Sequence, residues 1–395
     1  MSVVILMLSL SAILMWIVYH RLVNSQVKGI PLLRDVDVVQ RSEWPLVSVV
    51  ITAKDEEKNI HKSLSNTLSL NYPNLEFIVV NDRSTDQTQE IIDQWQSRDS
   101  RLHSVQVKEL PSGWVGKVHA LQKGLEHARG EWVLFCDADV KLNTHTLEKA
   151  VSYCEQESGQ HLGVMFDNPA CLRSFWLSVM TLGYGALAVN LLRTRKIDSP
   201  DEKYFFGSGA FNLVKKSVLD QAKDLSWLRL ELVDDMGLGM MVKLYGGKSL
   251  ILKGVDEIGI VWYGTARDMM KGLEKNVFGF VGGFSLLRVL AMASICLFVV
   301  FFPLIGSLYF SSFAGVAAWV SVYFVLPGLI TMIHNEDFNL HPLAVFFFPL
   351  AHLSALFVLV RSAFIVLKNQ GVSWKDTYYP LSDLRQHQRA KTRLM

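Results

Sequence analysis

The chain has 395 residues, 50% of them hydrophobic, and a formal net charge of +2. A balance so near neutrality shows no basic bias of the kind that suggests nucleic-acid binding, and the apolar fraction and positive mean hydropathy are high for a water-soluble protein. The four cysteines (Cys136, Cys154, Cys171 and Cys296) show no paired spacing, which argues against a zinc site or a disulfide frame and for a reducing compartment.

In chain order, positions 3–19 form an uncharged apolar run followed by His20 and Arg21. At ~1.5 Å per residue such a helix just crosses a ~30 Å hydrocarbon core. No basic segment precedes it and no small-residue cleavage site follows, so 1–22 reads as a signal anchor. Arg21 and Lys28 would stay in the cytoplasm and hold the following domain there.

Strand and helix patterns then alternate. The apolar run Leu46-Val-Ser-Val-Val-Ile51 leads through Thr52 and Ala53 into Lys54-Asp-Glu-Glu-Lys-Asn59. Leu75-Glu-Phe-Ile-Val-Val80 closes on Asn81 and Asp82, ahead of Ser84-Thr85-Asp86. Gly116 and Lys117 open a helical stretch that ends near Gly130. Next comes Trp132-Val-Leu-Phe-Cys-Asp-Ala-Asp139. Side chains alternate along a strand, so Asp137 and Asp139 point the same way. At a sheet edge both can ligate one hard divalent cation, Mg²⁺ or Mn²⁺, which keeps positions for phosphate oxygens. Taken alone, an acidic turn after a buried strand would look the same. Phe206-Gly-Ser-Gly-Ala-Phe211 and Val233-Asp-Asp-Met-Gly-Leu-Gly239 follow. This rhythm predicts an α/β domain with loops gathered at the carboxyl ends of a parallel sheet. Carboxylates at three such ends predict a nucleotide-and-metal crevice.

Phe175–Leu192 is uncharged and long enough to resemble a span, but it carries Ser178, Thr181, Gly183, Gly185 and Asn190 between flanking arginines. Crossing the membrane there would separate Asp235 from Asp137 and Asp139. It reads either as a helix lying in the interface, about 173–193, or as a core helix. Arg267, Lys271 and Lys275 fall at i, i+4 and i+8 and would form one cationic stripe on a helix. Further spans are predicted at 289–310, 313–333 and 343–360, each containing a proline. Four spans with the amino terminus outside would also leave the carboxyl terminus outside. That conflicts with Arg385, Arg389, Lys391 and Arg393 in the tail.

In these motifs and their order, over about residues 45–280, the chain resembles the family 2 glycosyltransferases of GT-A fold. The closer likeness is to their membrane-bound branch that glycosylates ceramides, hopanoids and carotenoid acids. The resemblance implies a doubly wound, mainly parallel α/β domain with transmembrane helices and a bound Mg²⁺ or Mn²⁺. It implies inverting transfer from a nucleotide-sugar, expected to be a UDP-sugar, to a hydroxyl or carboxyl of a membrane lipid. The expected layout is an anchor (1–22), a cytoplasmic catalytic domain (45–280), a transmembrane region (288–367) and a basic tail (368–395). The protein would be multi-pass in the cell membrane, with its catalytic domain on the cytoplasmic face.

The same resemblance assigns roles. Thr52, Ala53 and Glu56 match the first nucleotide loop, with Asp55 where the family has asparagine. Asp82 matches the uridine contact, although Asn81 replaces a second acid; an Asx turn at Asp82 or Asp86 is the competing reading. Lys117 would reach the diphosphate, unless it is a surface lysine. Asp139 would bind the metal, and Asp137 the ribose or the metal. Asp235 would be the catalytic base beside Asp234, while a helix N-cap with a first-turn acid would explain the same pair. Arg267, Lys271 and Lys275 would meet the diphosphate or lipid headgroups, or simply form a positive flank before a span. Ser208 and Ala210 depart from the family's Asn-Gly-Gln-like loop. The Gln-x-x-Arg-Trp motif of processive polysaccharide synthases is absent, which weighs against that alternative. A non-catalytic nucleotide-binding membrane scaffold is the other.

Overall fold

The computed structural model describes residues 2–166, 168–306 and 339–392, with a few positions between 316 and 329. The chain opens with helix α1 (Ser2–Lys28), which runs six residues beyond the anchor expected to end at 22. Strands β1 (Val47–Ala53), β2 (Leu75–Asp82), β3 (Leu102–Val107) and β4 (Trp132–Asp137) alternate with helices α2 (Ile60–Thr67), α3 (Thr88–Gln96) and α4 (Gly116–His127). After the short β5 (Lys141–Leu142) and α5 (Thr146–Gln156) come β6 (His161–Met165), α6 (Phe175–Leu192), β7 (Asn212–Lys215), α7 (Lys216–Ala222), α8 (Asp234–Leu244) and β8 (Ser249–Lys253).

Among the described residues, seven strands form one sheet in the order β3-β2-β1-β4-β7-β6-β8. Only β7 runs against its neighbours, so the sheet is mainly parallel, as expected. Burial explains why β1 and β2 read as mostly apolar runs, in which the buried Ser48 and Glu76 bond each other. Val49, Ile51, Phe77 and Val79 feed one core, while Val50, Ile78 and Val80 feed the other on the opposite face.

Two helices among the described residues, Phe175–Lys196 and Ala344–Asn369, are long and apolar enough to cross a membrane. The first packs on the second and on α1. The expected span at 289–310 corresponds to the helix Leu286–Gly306, and most of that at 313–333 lies outside the described residues.

Of the stretch expected to be a basic tail, 368–395, the described residues up to 392 include regular structure. Strands Gly371–Trp374 and Thr377–Pro380 form a hairpin, and the helix Leu381–His387 follows. Glu231, buried in front of α8, accepts the backbone N–H groups of Arg389 and Ala390, each at 2.9 Å. These contacts hold Arg389 and Ala390 against the segment that precedes α8.

Candidate active site

β1 lies between β2 and β4, with Thr52 level with both Val80 and Asp137. The chain winds outward from β1 to β3 and returns to β4 on the other side of β1, so a crevice opens at the carboxyl ends. A cavity of about 500 Å³ fills it. Thr52, Ala53, Glu56, Asp82 and Lys117 line this cavity, as do Asp137, Asp139, Asp234, Asp235 and Lys275. Arg267 and Lys271 do not: both are exposed on a helix that ends at Leu273, short of Lys275. The expected stripe is therefore divided, and only Lys275 reaches the crevice. There its ammonium lies 3.1 Å from the centroid of the Trp374 ring. Burial and the charge of Lys117 pull its pKa down to about 8.

At the end of β2, Asp82 is gripped by Arg83, with Nε–Oδ1 at 2.7 Å and Nη2–Oδ2 at 2.9 Å. The turn-forming carboxylate is Asp86, which accepts from the Glu57 and Thr88 N–H groups at 3.1 and 3.0 Å. Asp55 takes φ 54°, a left-handed conformation that aspartate and asparagine both tolerate, and accepts from the Thr85 N–H at 2.8 Å. A Cβ at Gly116 would sit 2.7 Å from Asp82 Oδ2, so α4 can start this close to the carboxylate only with glycine there.

At the acidic end, Lys117 Nζ lies 2.7 Å from Asp137 and 3.2 Å from Asp234. Burial opposes its charge, but Asp137, Asp234 and Asp235 outweigh that and hold its pKa well above the usual lysine range. Burial, then the charges of Asp137 and Glu56, push Asp139 up to about 6. The pair is thus short of positive charge. Among the described residues no cluster of three or more His, Cys, Asp or Glu side chains is arranged to hold a metal. Two cavity-facing carboxylates suit an oxygen-preferring cation that completes its shell with water and phosphate oxygens.

Asp235 stands in the first turn of α8, and the N-cap is Val233, not Asp234. Asp234 ion-pairs with Lys117 instead of capping. The Asp235 carboxylate accepts from the Gly209 N–H at 3.0 Å and the Met236 N–H at 2.8 Å. Burial and the charge of Asp234 raise its pKa toward neutrality. The glycines of the 206–211 loop allow this approach: a Cβ at Gly209 would lie 2.6 Å from Asp137 Oδ2, and one at Gly207 would collide with the Asp235 carbonyl. Asn212 braces the same place, donating to that carbonyl at 3.3 Å and accepting from the Ser208 N–H at 3.2 Å.

Beyond Asp235 the cavity walls turn apolar, with Tyr184, Gly185, Ala188 and Val189 of α6 facing Phe166 and Trp262. The carboxyl-terminal hairpin closes the other end. Lys54 and Lys375 each donate to the other's carbonyl at 2.9 Å, and the Tyr379 hydroxyl accepts from the Gly116 N–H at 3.3 Å. Sequence reasoning missed Arg83, Asn212 and the hairpin residues Trp374, Lys375 and Tyr379. The hairpin had a weak signal in the β-favouring Val372, Trp374, Thr377, Tyr378 and Tyr379 on either side of Lys375-Asp376.

Residues 48–222 match the family described as Glycosyl transferase family 2. A poly-beta-1,6-N-acetyl-D-glucosamine synthase of Staphylococcus epidermidis is 27% identical over 205 residues, covering 50% of this chain and 46% of that protein. A 4,4'-diaponeurosporenoate glycosyltransferase of Staphylococcus haemolyticus is 34% identical over 125 residues, covering 31% and 32%. The chain thus spans less than half the length of these curated relatives. A mannosyltransferase from Pyrobaculum calidifontis, solved with GDP-Man and Mn²⁺, superposes with a TM-score of 0.52 at 17% identity, covering 93% of this chain and 98% of its own.

Proposed function

Since residues 48–222 form a family 2 glycosyl transferase domain within a GT-A fold, we propose that the protein transfers a sugar from a nucleotide-sugar, a UDP-sugar by preference, to a hydroxyl or carboxyl of a membrane lipid, with inversion. The observation that carries this reading is the lining of one cavity. Carboxylates and lysines line it together with the apolar residues Tyr184, Gly185, Ala188 and Val189 of α6, and Asp235 is among its lining residues.

In this mechanism Thr52, Ala53, Glu56 and Asp82 hold the nucleoside. Asp137 and Asp139 would hold Mg²⁺ or Mn²⁺, which when bound supplies positive charge to the leaving diphosphate. Lys117 and Lys275 add positive charge on the protein's side. The Gly209 and Met236 N–H groups fix the Asp235 carboxylate, which takes the proton from the acceptor hydroxyl. The freed oxygen attacks the anomeric carbon as its bond to the nucleoside diphosphate breaks. A base so placed contributes ~10²–10⁴-fold. Arg267 and Lys271, exposed and outside the cavity, suit lipid headgroups.

Membrane placement draws support from the two long apolar helices. The Arg385 guanidinium donates to the Phe284 carbonyl at 3.1 Å, so both ends of 286–369 would lie on one side, which suits an even number of crossings between them instead of the three expected. The catalytic face would be cytoplasmic, the side to which Arg21 and Lys28 point.

The S. epidermidis synthase favours a second reading, polymer synthesis. Incubating membranes with radiolabelled UDP- and GDP-sugars separates the two: label extractable into organic solvent supports lipid transfer, and label in a water-insoluble polymer supports the synthase.

A further inference from the structure

α6 carries two glycines two residues apart, and their surroundings are opposite. A Cβ on Gly183 would collide with the Ala351 carbonyl, so that glycine serves the close crossing of α6 with the helix Phe348–Asn369. A Cβ on Gly185 would meet nothing within 4 Å. Gly185 faces the cavity, and helix packing gives no reason for a glycine there, in a position that costs ~1 kcal/mol relative to alanine.

Gly185 belongs to a stripe. Tyr184, Ala188 and Leu192, at i, i+4 and i+8, also line the cavity, a run of roughly 12 Å at ~1.5 Å per residue. The facing wall is aromatic: the Trp262 ring lies 5.6 Å from Phe166, 5.7 Å from Tyr184 and 4.7 Å from Tyr263. An apolar slot between α6, where Gly185 and Ala188 are its small residues, and the aromatic cluster at Trp262, in one cavity with a carboxylate base, fits a hydrocarbon chain whose polar end sits at that base.

We infer that the slot along Gly185 holds one hydrocarbon chain of the acceptor, immediately next to its reactive oxygen, and that Gly185 sets the girth of chain admitted. This rests on the lipid-transfer reading and adds to it the acceptor subsite and its specificity residue.

The probe is a sixteen-carbon alcohol bearing a diazirine on its chain, photolysed with the full-length protein in detergent. Adducts are expected on peptides containing Trp262 or residues 184–192. Gly185→Leu should reduce them at least tenfold, with UDP affinity in Mn²⁺ unchanged. Gly185→Ala, whose methyl meets nothing within 4 Å, should reduce them less than Gly185→Leu does, again with UDP affinity unchanged. Transfer from a labelled nucleotide-sugar to native lipid extract should fall in the same order, Gly > Ala > Leu. Adducts confined to the outer surfaces of the membrane helices, or equal labelling of Gly185→Leu and wild type, would overturn the inference. If the wild type glycosylates no lipid, the proposed function fails, while the photolabel still decides whether the slot takes a chain.

Discussion

Asp235→Asn removes a negative charge and a proton acceptor while keeping nearly the same shape. The carboxylate now accepts two backbone N–H groups, from Gly209 and Met236. An asparagine supplies one carbonyl oxygen, so one of those donors would face an NH₂ group and lose its partner. A lost bond of that kind costs ~1–3 kcal/mol of stability. Replacing a charge pressed against Asp234 recovers part of it, so the variant should remain folded. The kinetic loss is larger. Without a general base, turnover should fall ~10²–10⁴-fold, or ~3–5 kcal/mol at 1.36 kcal/mol per decade. The assay measures thermal midpoint, nucleotide affinity and lipid transfer on the same purified variants. Asp235→Asn should bind nucleotide normally and transfer poorly. Asp234→Asn should be milder: it removes a first-turn acid worth ~0.3–1 kcal/mol and one of the two ion pairs of Lys117, which stays paired with Asp137. Asp82→Ala should weaken nucleotide binding first, because it also frees Arg83. If Asp234→Asn is the inactive enzyme and Asp235→Asn the mild one, the base is off by one residue. If neither loses activity, the mechanism is wrong.

Asp139→Asn should abolish transfer in a folded, inserted protein, and wild-type turnover that persists in EDTA would refute the metal assignment. Because Asp235 acts as the carboxylate and burial raises its pKa, turnover should fall as pH drops toward 6, not near the usual ~4; an acid limb left in place by Asp235→Asn would assign it elsewhere. A cysteine at Ser100 should react only with membrane-permeant thiol reagents in intact cells, and labelling by an impermeant reagent would put the catalytic domain outside.

What could be foreseen from the sequence was whatever is local. β1, β2 and β4 are mostly apolar runs because both sheet faces are covered, and the alternation of Asp137 and Asp139 follows from strand geometry. The register that sets Thr52 beside Asp137 joins segments 85 positions apart and leaves no mark in either. The cationic stripe failed because periodicity cannot see a helix end: Lys275 keeps the spacing, but the helix stops at Leu273. The hairpin reads as a basic tail in the sequence, because Lys375-Asp376 is not a typical turn dipeptide, although both take positive φ (44° and 65°) as in a two-residue hairpin loop. Its docking was not legible either, since the Lys54–Lys375 clasp spans 321 residues. Arg83 carries no pattern at all, and only its grip on Asp82 shows that it belongs to the site.

The central claim is that sugar leaves a nucleotide and arrives on a lipid. Its most direct test is transfer of label from a radiolabelled UDP-sugar into solvent-extractable material, by membranes holding the wild type or Asp235→Asn. The account predicts a cation-dependent glycolipid from the wild type and at least a hundredfold less from the variant. Label found only in polymer, or a glycolipid formed equally by both, would contradict it.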